Sequence, residues 1–240
     1  MEKPSALPAT ILGLCIGLGL VVAGFALGHG VYASRIADRV VSVRGLAERE
    51  VDADLAIWPV TFKEAGNDLA QLQRSIDTKR ETIARFLESA GFKRAEVSYS
   101  ASKINDTQAE AYGGAQMQPK FRYVAQATVT LRSTNVAAVK KTIEQSGQLV
   151  AGGIALAENW ENRTQYLFTG LNSIKPEMIE AATKSARESA EKFATDSGSK
   201  VGKIKSASQG LFEISDLDAN SPDRKQVRVV TRVDYFLVDE

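Results

Sequence analysis

The sequence predicts an α+β protein: an N-terminal transmembrane helix, then two packed lobes of largely antiparallel sheet covered by amphipathic helices. Three observations carry this. One apolar stretch near the N-terminus has no Asp, Glu, Lys or Arg between Lys3 and Arg35. The remaining chain alternates short strand-like runs with long helices of 3.6 periodicity. The helices are separated by pairs of strands instead of single β-α steps, which favours antiparallel sheets.

Residues 1–9 read as a short tail and residues 10–30 as the membrane segment, TILGLCIGLGLVVAGFALG over 10–28. A helix of about 20 apolar residues crosses a hydrocarbon core of about 30 Å. Two fates are open for it, an uncleaved anchor and a leader cleaved after Val31-Tyr32-Ala33; length and the barely basic start, with Glu2 beside Lys3, favour the anchor. Gly13, Gly17, Gly24 and Gly28 fall within about 60° of one helix face. Small residues at such spacing let membrane helices approach closely, so these four are the expected helix-packing residues and the bilayer is the expected partner of residues 10–28. The flank after the helix carries Arg35, Arg39 and Arg44, which by the positive-inside rule would place the following domain in the cytoplasm. Long domains translocate largely regardless of flank charge.

Residues 31–240 read as one α+β domain. Val41 to Gly45 opens a strand, and Leu55 to Phe62 is expected to pair with it, Trp58-Pro59 marking an edge or bulge. A helix follows from about Asp68 to Ala90, with Asn67 as N-cap, Gly91 as stop and an apolar face of Leu69, Leu72, Ile76, Ile83 and Leu87. A strand is expected from Ala95 to about Ile104, then a long polar connection over 107–119. Phe121, Tyr123, Ala125, Ala127, Val129 and Leu131 alternate with polar residues, a strand with one dry face. A helix over Val136–Gln145, capped by Thr134 or Asn135 and stopped by Gly147, precedes strands near 154–161 and 165–168. The next helix has Pro176 expected in its first turn, Glu177 and Glu180 near its positive end, and Gly198 after its end. Ala182, Ala186, Ala190 and Ala194 form a stripe that allows close packing, and Glu180–Lys184 and Glu188–Lys192 stand at i,i+4. Strands near 201–212 and 227–238 flank a loop or hairpin tip, SDLDANSPDRK.

The opening Val41-x-Val43-x-Gly45, the first helix, and the alanine-striped helix running through Ser197-Gly198-Ser199-Lys200-Val201-Gly202-Lys203-Ile204 into a strand resemble the SIMPL-domain family of bacterial envelope proteins. The likeness spans about residues 39–238; Ala47 stands where many relatives have a second glycine. It implies a two-lobed protomer that builds large ring- or channel-like homo-oligomers, here a single-pass protein of the bacterial inner membrane with its soluble domain in the periplasm. It implies no catalytic activity and supplies no active site.

The charge balance, 30 basic against 29 acidic residues, gives no global field for nucleic acid, and none is expected as a partner. The single cysteine, Cys15, and the single histidine, His29, both lie in the apolar segment. That removes Ser/His/Asp and Cys/His nucleophile chemistry from the domain, along with most zinc and copper sites. No catalytic, cofactor or metal residues are therefore expected. Gly113-Gly114 and Gly152-Gly153 read as loop glycines. Carboxylates alone remain for an enzyme: Asp52 with Asp54, or Glu158 with Glu161. Asp216 and Asp218 would need further oxygens to bind calcium. Trp160, Tyr166 and Phe168 suggest an aromatic cluster of core or interface type. The expected function is a non-enzymatic, self-assembling membrane protein. A tethered binding module that captures a small molecule or client protein through the hairpins at 107–119 and 215–225 is the alternative.

Overall fold

The computed structural model describes residues 6–37, 39–109, 120–157 and 162–239. Helix α1 spans Ala6–Ala37, beginning before and ending after the apolar segment. Its stretch Leu12–His29 has a mean hydropathy of 2.0, and none of it is buried within the chain. At about 1.5 Å per residue those residues span about 27 Å, enough to cross a membrane.

The chain then divides into two compact units. One comprises Met1–Glu48, Lys175–Glu213 and Arg228–Glu240, the other Arg49–Ile174 and Ile214–Val227. Strands β1 (Val40–Asp52), β9 (Arg224–Asp239) and β7 (Ser199–Gln209) form a sheet in the order β1-β9-β7, with β8 (Glu213–Asp216) also on β9. Leu55–Phe62 is not the partner of β1: it belongs to the other sheet. In the first unit, Val43 of β1 and Val233 and Tyr235 of β9 pack against Ala186 and Ala190 of helix α5 (Leu171–Asp196). The alanine stripe is fully used, with Ala182, Ala186, Ala190 and Ala194 all buried. Gly198, at φ +64°, follows the helix end as expected. Pro176 is not in the first turn but sits inside the helix, which has started at Leu171. There it removes one helical hydrogen bond without ending the helix. Among the described residues neither expected acid–base pair on this helix closes, whereas Arg187 and Glu191 pair at 3.1 Å.

The second unit is built on a five-stranded antiparallel sheet, β3 (Val97–Tyr99), β5 (Tyr123–Ser133), β2 (Leu55–Gly66) and β6 (Gln165–Leu167), with β4 (Lys103–Asp106) also on β5. β2 and β5 pair without a break from Ala56↔Ser133 to Gly66↔Tyr123. The alternation read over 121–132 holds: Ala125, Ala127, Val129 and Leu131 are buried. Helix α2 (Leu69–Ser89) covers this face with Leu72, Ile76, Ile83 and Leu87, whereas Leu69 stays exposed. Its N-cap is Asp68, whose Oδ1 accepts from the Gln71 amide at 2.7 Å. Asn67 instead accepts from the Arg122 amide at 2.9 Å, tying the helix entry to β5. The strand expected over 95–104 is broken into a 3-10 turn (Arg94–Glu96), β3 and β4. Gly147 does not stop helix α3 (Val136–Glu144, capped by Asn135) outright but opens a further helical turn, α4 (Gly147–Ala151).

Pro59 sits where the ladder can spare a donor. The Lys63 amide donates to Ala155 O and the Ala157 amide to Thr61 O, so the odd residues of β2 face away from β5. β6 pairs only with Leu55–Ile57 on that side, which leaves the missing N–H of Pro59 in the gap between the two.

Candidate functional site

Four of the glycines of α1, Gly13, Gly17, Gly24 and Gly28, share an open face. A Cβ added at Gly13, Gly17, Gly24 or Gly28 would meet nothing within 4 Å. Cys15 is exposed on the same helix.

Gly45 is the opposite case. A Cβ there would stand 1.8 Å from Ala182 O and 2.5 Å from Ala186 N. The V-x-V-x-G opening and the alanine stripe are thus two halves of one strand–helix contact.

Asp52 and Asp54 are not brought together. Between Asp52, the last residue of β1, and Leu55, the first of β2, the chain passes from one sheet to the other, and the two aspartates part. Both oxygens of Asp54 accept backbone N–H groups ahead of α5, from Thr169 at 2.8 and 2.9 Å and from Gly170 at 2.9 Å. Asp52 lines a different shallow groove, with Lys140, Lys141, Glu144 and Asp223. In that groove Lys140 donates to Asp223 at 2.7 Å. This hydrogen bond and charge hold the Asp223 carboxyl below its usual range and raise Lys140. Glu158, Glu161 and Trp160 lie outside the described residues, as do Gly113 and Gly114. Tyr166 is part of the core, and burial pushes its hydroxyl pKa up. Phe168 lies over Gly170, where an added Cβ would be 3.1 Å from the ring.

Asp216 and Asp218 serve the β8–β9 hairpin. Asp216 pairs with the nearly buried Lys225, and Asp218 Oδ1 accepts from the Asn220 amide at 2.7 Å. The 215–225 segment is therefore a tied turn, while most of the 107–119 connection lies outside the described residues. Gly153, at φ +82°, closes α4 as a loop glycine. Among the described residues no group of three or more His, Cys, Asp or Glu could hold a metal. A cavity of about 400 Å³ in the second unit is lined by Trp58, Thr61, Ile143, Leu156, Asn162 and Arg163.

One surface escaped the sequence reading. β1 ends the sheet order, so among the described residues one edge of it has no strand beside it. The Leu237 amide donates to Arg39 O, and the Ala53 amide to Asp223 O, each at 2.8 Å. Odd residues at both ends thus face β9, and the even residues between them turn their N–H and C=O groups to the open edge. The same even residues, Arg44, Leu46 and Glu48 among them, are exposed. The alternation R-x-L-x-E was visible in the sequence; its position on an edge was not.

A family model, SIMPL, described as a protein of unknown function (DUF541), matches residues 41–233, from the second residue of β1 to near the end of β9. Helix α1 is outside the match. No curated protein matches the chain.

Proposed function

Because this chain belongs to the SIMPL family of proteins of unknown function, we propose that it is a non-enzymatic, membrane-anchored envelope protein that assembles with its own copies into a large ring- or channel-like homo-oligomer. The observation that carries this reading is α1: an apolar segment, Leu12–His29, exposed along its whole length and bearing four glycines on one face without a neighbour. In a bilayer such a face associates by backbone packing. The chemistry of the remaining chain supports a structural role. It has no His or Cys after His29, and Asp54 is engaged by the Thr169 and Gly170 amides and Asp216 in an ion pair. The domain following the anchor is proposed to lie in the periplasm, against the weak contrary signal of Arg35, Arg39 and Arg44. Amine-reactive cross-linking of intact membranes tests the assembly. A ladder reaching a high-mass limit is expected, and monomer alone across reagent concentrations contradicts it. A reporter fused after Glu240, active on one side of the membrane only, tests the orientation.

A further inference from the structure

We infer that β1 pairs antiparallel with β1 of a second copy of this chain, centred on Leu46, so that the open edges of two sheets close on each other. The inference deepens the self-assembly reading above and rests on it. The other outer strands are blunted, β8 among them with four residues. β3 has three residues, β4 four and β6 three. β7 is long, but it carries Lys200, Lys203 and Lys205 and shifts register against β9 between Val201 and Ile204 and again before Ser206. Short length, lysines and bulges are the devices that keep an edge from recruiting another strand. β1 is neither short nor shifted and carries no Lys or Pro: it runs for 13 residues, its charged residues are of both signs, and the odd residues at its two ends face β9.

Its outward residues are self-complementary. With Leu46 opposite Leu46, Arg44 falls opposite Glu48 on both sides of the two-fold axis, and all of these residues present N–H and C=O to the partner edge. The charges are available for this. The side chain of Arg44 makes no ion pair or hydrogen bond among the described residues. Glu48 reaches Arg228 only at 3.6 Å and keeps a second oxygen. Leu46, 42% exposed, would gain an apolar neighbour at the axis. The interface is isologous, the same patch on both copies, as two-fold pairing requires.

Disulfide trapping tests the pairing in the full-length protein in membranes, with Cys15→Ser removing the native thiol. Directly opposed residues that exchange hydrogen bonds have Cα atoms about 5.5 Å apart, inside the range a disulfide spans. Leu46→Cys is expected to give a covalent dimer on mild oxidation at roughly tenfold the yield of Ser208→Cys on the β7 edge, and adding Arg44→Glu should cut that yield several-fold. Light scattering of the unoxidised Cys15→Ser protein separates the two claims. If Leu46→Cys traps no more dimer than Ser208→Cys while that protein is oligomeric, β1 pairing is overturned and self-assembly stands. If it is monomeric, both fall.

Discussion

Gly45 and Ala186 approach so closely that a Cβ on the glycine would lie 2.8 Å from the alanine Cβ and still nearer the helix backbone. The strand and the helix can lie this near only because neither presents a larger side chain. Gly45→Ala is therefore predicted to destabilise the first unit by about 3 kcal/mol, the upper end of ordinary overpacking, because the clash is with backbone atoms that cannot rotate away. Chemical denaturation of the detergent-solubilised protein measures it; an unchanged midpoint would contradict the contact.

Asp54 acts on the start of α5 from 115 residues away in sequence. Asp54→Ala leaves the Thr169 and Gly170 amides without their acceptor and should cost about 1 kcal/mol, the usual net worth of an intramolecular hydrogen bond. Asp54→Asn should recover part of it. A larger loss in any assembly assay than in denaturation would reveal a role beyond holding these two amides.

The Lys140–Asp223 pair gives a pH signature. Asp223 titrates below its ordinary value in the folded protein, chiefly through the hydrogen bond from Lys140. The stabilisation is then present above the unfolded carboxyl pKa of about 4 and is lost as pH falls through the lower folded value. Asp223→Asn should lower stability by about 0.5 kcal/mol at pH 7, a modest figure because Lys140 is 46% exposed. Urea titrations at decreasing pH should show the two proteins converge in acid. A constant difference down to pH 2 would assign the effect elsewhere.

The glycine face of α1 has a direct test. Gly17→Leu with Gly24→Leu fills two positions of that face where an added Cβ would meet nothing within 4 Å. The domain should fold unchanged, and oligomers in detergent should be smaller or dissociate more readily. Identical particle size and dissociation would make the stripe a general property of membrane helices.

Much of this architecture is legible in local pattern. The dry face of β5, the buried row of α2 and the alanine stripe of α5 all follow from periodicities of two or 3.6. Pairing did not follow, because β1 and β2 are neighbours in sequence yet serve different sheets: the close approach of α5 selects Gly45, and an unbroken ladder with β5 selects β2. The same crossing explains the aspartates. Asp52 and Asp54 would share a side only if one strand continued through both, and β1 stops at Asp52. Local signals also misplaced caps: Asn67 and Asp68 are equally good cap residues, and the Arg122 amide of the neighbouring chain segment takes Asn67. The β1 edge depends on sheet order, which no window of sequence contains.

Static light scattering of the full-length protein in detergent, over a wide concentration range, tests self-assembly most directly. The account predicts a protein mass many times the 25.9 kDa of one chain, holding steady on dilution. A clean monomer at every concentration would contradict it.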